Sequence, residues 1–212
     1  MAATEHPLNE LARFLPEGSF DKVVDYLHRY KVHLIVAKER KSVLGDYRHA
    51  HQGNNHRISV NGNLNQYEFL ITLLHELAHL LTYETYKNRV ESHGKEWKSC
   101  YSNLLSDFID TGIFPNDVEQ VLKKSMRSPA ATANGETALL TVLRKYNPNQ
   151  KEGYLLLSAL PAGDLFMTDN GRIFKKGALR RKRYSCIELR TGLTYTVSAI
   201  TEVRLVKVLG TN

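Results

Sequence analysis

Cysteine is almost missing from this chain of 212 residues: Cys100 and Cys186 are the two, 86 positions apart. That scarcity excludes a disulfide scaffold and any site built on a CxxC knuckle, and it fits a reducing compartment. Long hydrophobic runs are lacking as well. The longest apolar stretch, residues 69–81, is interrupted by His75, Glu76 and His79, whereas a membrane-spanning helix needs about 20 predominantly apolar residues. Neither a membrane crossing nor a membrane partner is expected. Residues 1–10 have neither the basic region nor the apolar region of a secretory signal, so a cytoplasmic chain is expected. With 42% hydrophobic and 24% charged residues and no internal repeat, the composition is that of a globular chain with room for one large or two small domains.

What is present is unevenly distributed. Residues 1–127 carry 16 Lys and Arg against 16 Asp and Glu, while residues 128–212 carry 13 against 6 and so hold the whole net charge of +7. All nine histidines lie in the first part. A neutral, imidazole-rich part points to metal or acid/base chemistry, and a basic, histidine-free part to electrostatic attraction. The Ser-, Pro- and Ala-rich stretch between them reads as a linker. The expected division is a first domain over 1–127, a linker over 128–137 and a small basic β domain over 138–212.

Apolar spacing predicts helices over residues 20–30, 63–86, 97–108 and 116–126, and strands over 32–37, 42–49 and 57–61. Beyond the linker, short strands are predicted over 138–146, 153–160, 165–168, 172–174, 183–189, 194–197 and 203–208, separated by Asn-Pro, Asp-Asn-Gly and Thr-Gly turns. The fold class is therefore α+β, followed by a small all-β domain.

The strongest chemical signal is His75-Glu76-Leu77-Ala78-His79, an HExxH motif inside the long helix. Histidines four apart share a helix face, so both imidazoles can reach one zinc ion while Glu76 serves as general base. Thr82 and Thr85 stand where the extended HExxHxxGxxH pattern needs Gly and His, which excludes that arrangement. His93, in Ser92-His93-Gly94-Lys95-Glu96-Trp97, is the candidate third ligand, with Glu84, Glu91 and Glu96 as rivals and Glu96 the strongest of them. Three histidines leave one tetrahedral position open for water, as in catalytic zinc sites. Trp97 and Tyr101 read as core, Cys100 as a small buried hydrophobe, and His28, His33, His49, His51 and His56 as surface or loop residues. Tyr47 and Asn61 are placed near the cleft without a role.

Tyr67-x-Phe-Leu-x-x-Leu-Leu-His-Glu-Leu-Ala-His79, followed by Glu91-Ser-His-Gly-Lys-Glu-Trp97 and preceded by Leu44-Gly-Asp-Tyr47 and Ile58-Ser-Val-Asn61, resembles the SprT-like (Spartan) metalloprotease domain over residues 18–112. The resemblance implies a zincin-like fold, one catalytic zinc held by His75, His79 and His93, and Glu76 as base. It also implies a substrate class, proteins bound or crosslinked to DNA, with DNA as activator.

Proteins of this family often end in a zinc ribbon, and residues 174–189 resemble its second half. Cys186 stands at one thiolate position and Leu189 at its partner, so the expectation is a metal-free remnant held by packing. Arg172, Lys175, Lys176, Arg180, Arg181, Lys182, Arg183 and Arg190 face a lone Glu188 in that stretch. They are the candidate nucleic-acid contacts, with Phe174, Tyr184 and Tyr195 as stacking partners. The sequence leaves a second reading open, a non-proteolytic nucleic-acid-binding or scaffold protein whose zinc is structural or vestigial.

Overall fold

A computed structural model describes residues 9–40, 43–126, 137–148, 152–181 and 183–206. The chain divides into two compact units, Met1–Asn147 and Pro148–Asn212.

In the first unit a 3₁₀ turn over Asn9–Phe14 leads into helix α1, Phe20–Arg29. Strands β1 (His33–Ala37), β2 (Gly45–Arg48) and β3 (Arg57–Asn61) follow. They form a sheet in the order β1-β3-β2, with β1 parallel and β2 antiparallel to β3. Helix α2, Gln66–Tyr86, is started by Asn65, whose side chain accepts from the Glu68 N–H at 3.0 Å and so caps an otherwise unsatisfied donor. Phe69, Leu70, Leu73, Leu74, Leu77 and Leu80 of α2 are all fully buried. A helix this apolar on several faces belongs at the centre of a domain, and α2 lies against β2, β3 and α3 (Lys95–Ser106). Ile58, Val60, Trp97, Leu104 and Leu105 complete this core with α4, Asn116–Ser125.

Residues 138–146 depart from expectation. They form helix α5, Thr137–Leu143, and a 3₁₀ turn, Arg144–Tyr146, where a strand was expected. Leu139, Val142, Leu143 and Tyr146 repeat at i, i+3, i+4 and i+7, a helical stripe that packs on the first unit's core. Asn65 donates to Leu143 O at 3.1 Å and to Asn147 Oδ1 at 2.6 Å, tying this segment to the start of α2. The segment assigned to the second domain thus belongs to the first unit. Residues 128–136 of the expected linker lie outside the described residues.

The second unit is one antiparallel sheet in the order β4-β9-β5-β6-β7-β8. Its strands are β4 (Tyr154–Leu156), β5 (Leu165–Met167), β6 (Ile173–Arg180), β7 (Arg183–Glu188), β8 (Thr194–Ser198) and β9 (Glu202–Val206). Leu157, Leu160, Phe166, Phe174, Cys186 and Val203 form its small core. Strand β6 runs six residues beyond its expected end, because β7 pairs with it across a bulge between Lys176 and Leu179. Cys186 is fully buried in apolar surroundings, and that burial raises its thiol above the ordinary range. Of the two positions that would build a thiolate knuckle, Cys186 is packed as core and Leu189 is exposed.

Candidate active site

Helix α2 ends at Lys87, whose φ of 55° turns the chain out of the helical path, and α3 restarts it with Gly94 as N-cap. That reversal brings His93 back to the helix carrying His75 and His79. The ring centroids of His75 and His79 are 5.1 Å apart, those of His79 and His93 4.6 Å, and those of His75 and His93 5.4 Å. His75 Nε2 and His93 Nε2 stand 3.3 Å apart. One ligand atom from each histidine lies within 4.8 Å of the others, and among the described residues this is the group able to hold a metal ion.

The electrostatics suit a cation. Burial pushes His75 down to about 3, helped by the neighbouring His79 and His93. His79 falls to about 4 through burial and His93, and burial lowers His93 too. All three are therefore neutral near pH 7, with lone pairs available to a metal of borderline softness such as zinc. The rival carboxylates are not members of this group. Glu84 binds Lys87 at 3.0 Å and faces His56 at 3.5 Å, Glu96 turns toward Lys95 at 3.9 Å, and Glu91 lines the open cleft.

Glu76 is buried beside the triad, and burial, reinforced by Asp46 and opposed by Arg40, raises its carboxyl to about 8. Its neighbour is the backbone of β2. A β-carbon on Gly45 would lie 2.6 Å from Glu76 Oε1 and 2.9 Å from Thr72 Cγ2, so only glycine lets the strand approach the carboxyl this closely. Arg40 holds the approach to Gly45: it donates to Asn61 Oδ1 at 2.8 Å and Ser59 Oγ at 3.0 Å. Asn61 in turn donates to Arg40 O and Val43 O at 3.1 and 3.0 Å. Asn61 is therefore a buried anchor for the loop before β2.

Trp97 is core, as expected, but it also floors the site: its ring lies 4.6, 5.3 and 4.7 Å from those of His75, His79 and His93. Tyr47 stacks on His79 at 6.5 Å and 4°. The Tyr47 hydroxyl donates to His56 Nδ1 at 2.9 Å, and the Ala50 N–H reaches the same nitrogen at 3.3 Å. Two donors on Nδ1 put the imidazole proton on Nε2, toward Glu84. His56 is thus buried and structural rather than a surface residue. Beside these rings opens a cleft of about 760 Å³, bordered by Tyr47, His49, His79, Thr82, Tyr83 and Glu91. Thr72 and Thr82 are buried. Gly45 and Trp97 lie in segments that carry the resemblance and His56 does not; the roles of all three come from contacts between elements.

A profile of the SprT-like family matches residues 12–134, more than half of the chain. The chain belongs to the SprT-like family. No curated protein and no solved structure matches it. Membership associates this SprT-like chain with metalloprotease chemistry, in a family that is typically zinc-dependent, and its histidine triad could hold such a metal.

The second unit does not present the eight basic residues together. Lys176 is buried: its ammonium donates to Leu160 O and lies 3.9 Å over the Tyr184 ring. Arg172 is tied to the buried Glu188 at 2.8 Å and sits over Phe174 and Tyr195. These two have structural partners, and Phe174 is buried, which removes it as a stacking platform. Lys175, Arg180, Arg181, Arg183 and Arg190 are exposed, and Lys182 lies outside the described residues. Arg180 and Arg183 pair directly at the end of the β6–β7 hairpin.

Proposed function

We propose that this chain is a zinc-dependent endopeptidase of SprT type that acts on DNA-bound or DNA-crosslinked proteins, with its basic second unit contacting nucleic acid. The observation that carries the reading is the convergence of three neutral imidazoles beside a buried carboxyl on the same helix. A zinc ion held by His75, His79 and His93 would supply Lewis acidity toward the scissile carbonyl and acidify a water. Glu76 takes the proton from the attacking water and passes it to the leaving amine as the C–N bond breaks. The free edge of β2 beside Glu76 holds the substrate as an added strand. Lys175, Arg180, Arg181, Arg183 and Arg190 neutralise phosphates without reading sequence.

The test incubates the purified chain and its Glu76→Gln variant with a DNA-binding protein, with and without single-stranded DNA, while zinc is measured. Cleavage by the parent alone, stimulated by DNA, at equal zinc content is expected. Retained cleavage in Glu76→Gln overturns its role as base. No cleavage under any condition, at one zinc per chain, overturns the peptidase reading in favour of a binding protein.

A further inference from the structure

One end of the first unit's sheet sets two arginines side by side. His33 of β1 pairs in register with Arg57 of β3, and Arg57 pairs directly with Arg48 of β2. Directly paired residues share a face, and like charges there repel. All three are exposed, and with His49, His51 and Asn54 they line a cavity of about 640 Å³ whose lining contains no carboxylate. Asp46, 3.1 Å from Arg48 Nε, answers one of these charges. Arg57 has no carboxylate partner among the described residues. This rung of two arginines, with Arg57 left uncompensated, is suited to an external anion.

Its position says which. Arg48, His49 and His51 line both this cavity and the cleft beside His79. Strand β2 is the edge of its sheet, with Gly45 against Glu76 at one end and Arg48 at the other. Three residues of strand span about 10 Å. A polypeptide added along β2 with its scissile bond at Glu76 therefore carries a side chain three or four residues away over the cation rung. We infer that the rung is a subsite for an acidic side chain of the substrate, an inference that rests on the peptidase reading above. A substrate carboxylate fits it better than a phosphate chain does. The rung is reached along a backbone edge that pairs with polypeptide, and the path passes Asp46 and Glu91, which repel a polyanion.

The test digests a randomised peptide pool with the zinc-loaded chain and with its Arg57→Gln variant, and reads the cut sites by mass spectrometry. The expected result is enrichment of Asp and Glu, about two- to fivefold, at the third or fourth residue on one side of the cut, the scale of an exposed ion pair. It shrinks toward none in Arg57→Gln and at high salt. Cuts without that enrichment, or with enrichment undiminished in the variant, overturn the subsite and leave the peptidase reading intact. Single-stranded DNA that binds the parent but not Arg57→Gln makes the rung a phosphate site instead. No cuts at all by the parent overturn the peptidase reading and the subsite with it.

Discussion

At Gly45 a single β-carbon would intrude on Glu76, with contacts of 2.6 Å to Oε1 and 2.8 Å to Cγ. Gly45→Ala therefore displaces the carboxyl by a fraction of an ångström or more. Misplacement on the 1 Å scale costs about a hundredfold in rate. The expected outcome is a fall of about ten- to a hundredfold in kcat/KM with zinc content unchanged, read by cleavage assay and metal analysis on one sample. Titration gives a second prediction. In metal-free protein, His75 and His79 titrate at about 3 and about 4 when folded and at 6.5 when unfolded. The unfolded chain binds more protons in between, so stability is lost as pH falls from 6.5 toward 4. Glu76 works in the opposite sense: its folded value of about 8 against 4.5 means that the stability it contributes is lost as pH rises toward 8. Glu68, raised to about 7 by burial, acts in the same sense as Glu76. In thermal melts of chelated protein, Glu76→Gln should therefore lessen the decline between pH 6.5 and 8. A parent whose melting temperature keeps rising to pH 8 contradicts this account of Glu76.

Helix α2 is the element on which the site depends, and most of it was legible from its spacing. The expected 63–86 became Gln66–Tyr86, and the leucines form core as their periodicity required. Leu73 is fully buried, so Leu73→Ala should cost about 2–5 kcal/mol in denaturant unfolding. Helix α5 departs from the strand expected there. Its apolar residues fit a helical stripe, but the run is short, and packing against α4 decided between helix and strand. In the β6–β7 hairpin the basic run was legible, but not which of its members the fold consumes. If the exposed arginines contact phosphates, replacing Arg180, Arg181 and Arg183 together by Gln should reduce the slope of log affinity against log salt for single-stranded DNA by about 2. A slope left unchanged places the contact elsewhere.

Taken whole, each unit has its own apolar core. The first unit's core draws on α1, β3, α2, α3, α4 and α5, with the histidine triad at its margin. Removing zinc should therefore abolish cleavage while leaving far-ultraviolet circular dichroism and a cooperative melt, with activity restored by added zinc. Collapse of the fold on chelation would mark the site as structural. The second unit holds Arg172, Glu188 and Thr191 in one network, with Thr191 Oγ1 donating to Glu188 at 2.6 Å. This network and the small core stand where a thiolate knuckle would otherwise staple the hairpin.

The sequence by itself determined the helix bearing His75, Glu76 and His79, the candidacy of His93, the α+β class and the uneven charge. Each of these is a matter of residue type at fixed local spacing, which helical geometry converts into shared faces. Only the tertiary structure decided that Glu84, Glu91 and Glu96 stand aside, that Gly45 and Trp97 shape the site, and that Lys176 and Arg172 are spent on internal partners. Those outcomes depend on distances between elements far apart in the chain, and such distances are set by how the cores pack, which local spacing does not encode.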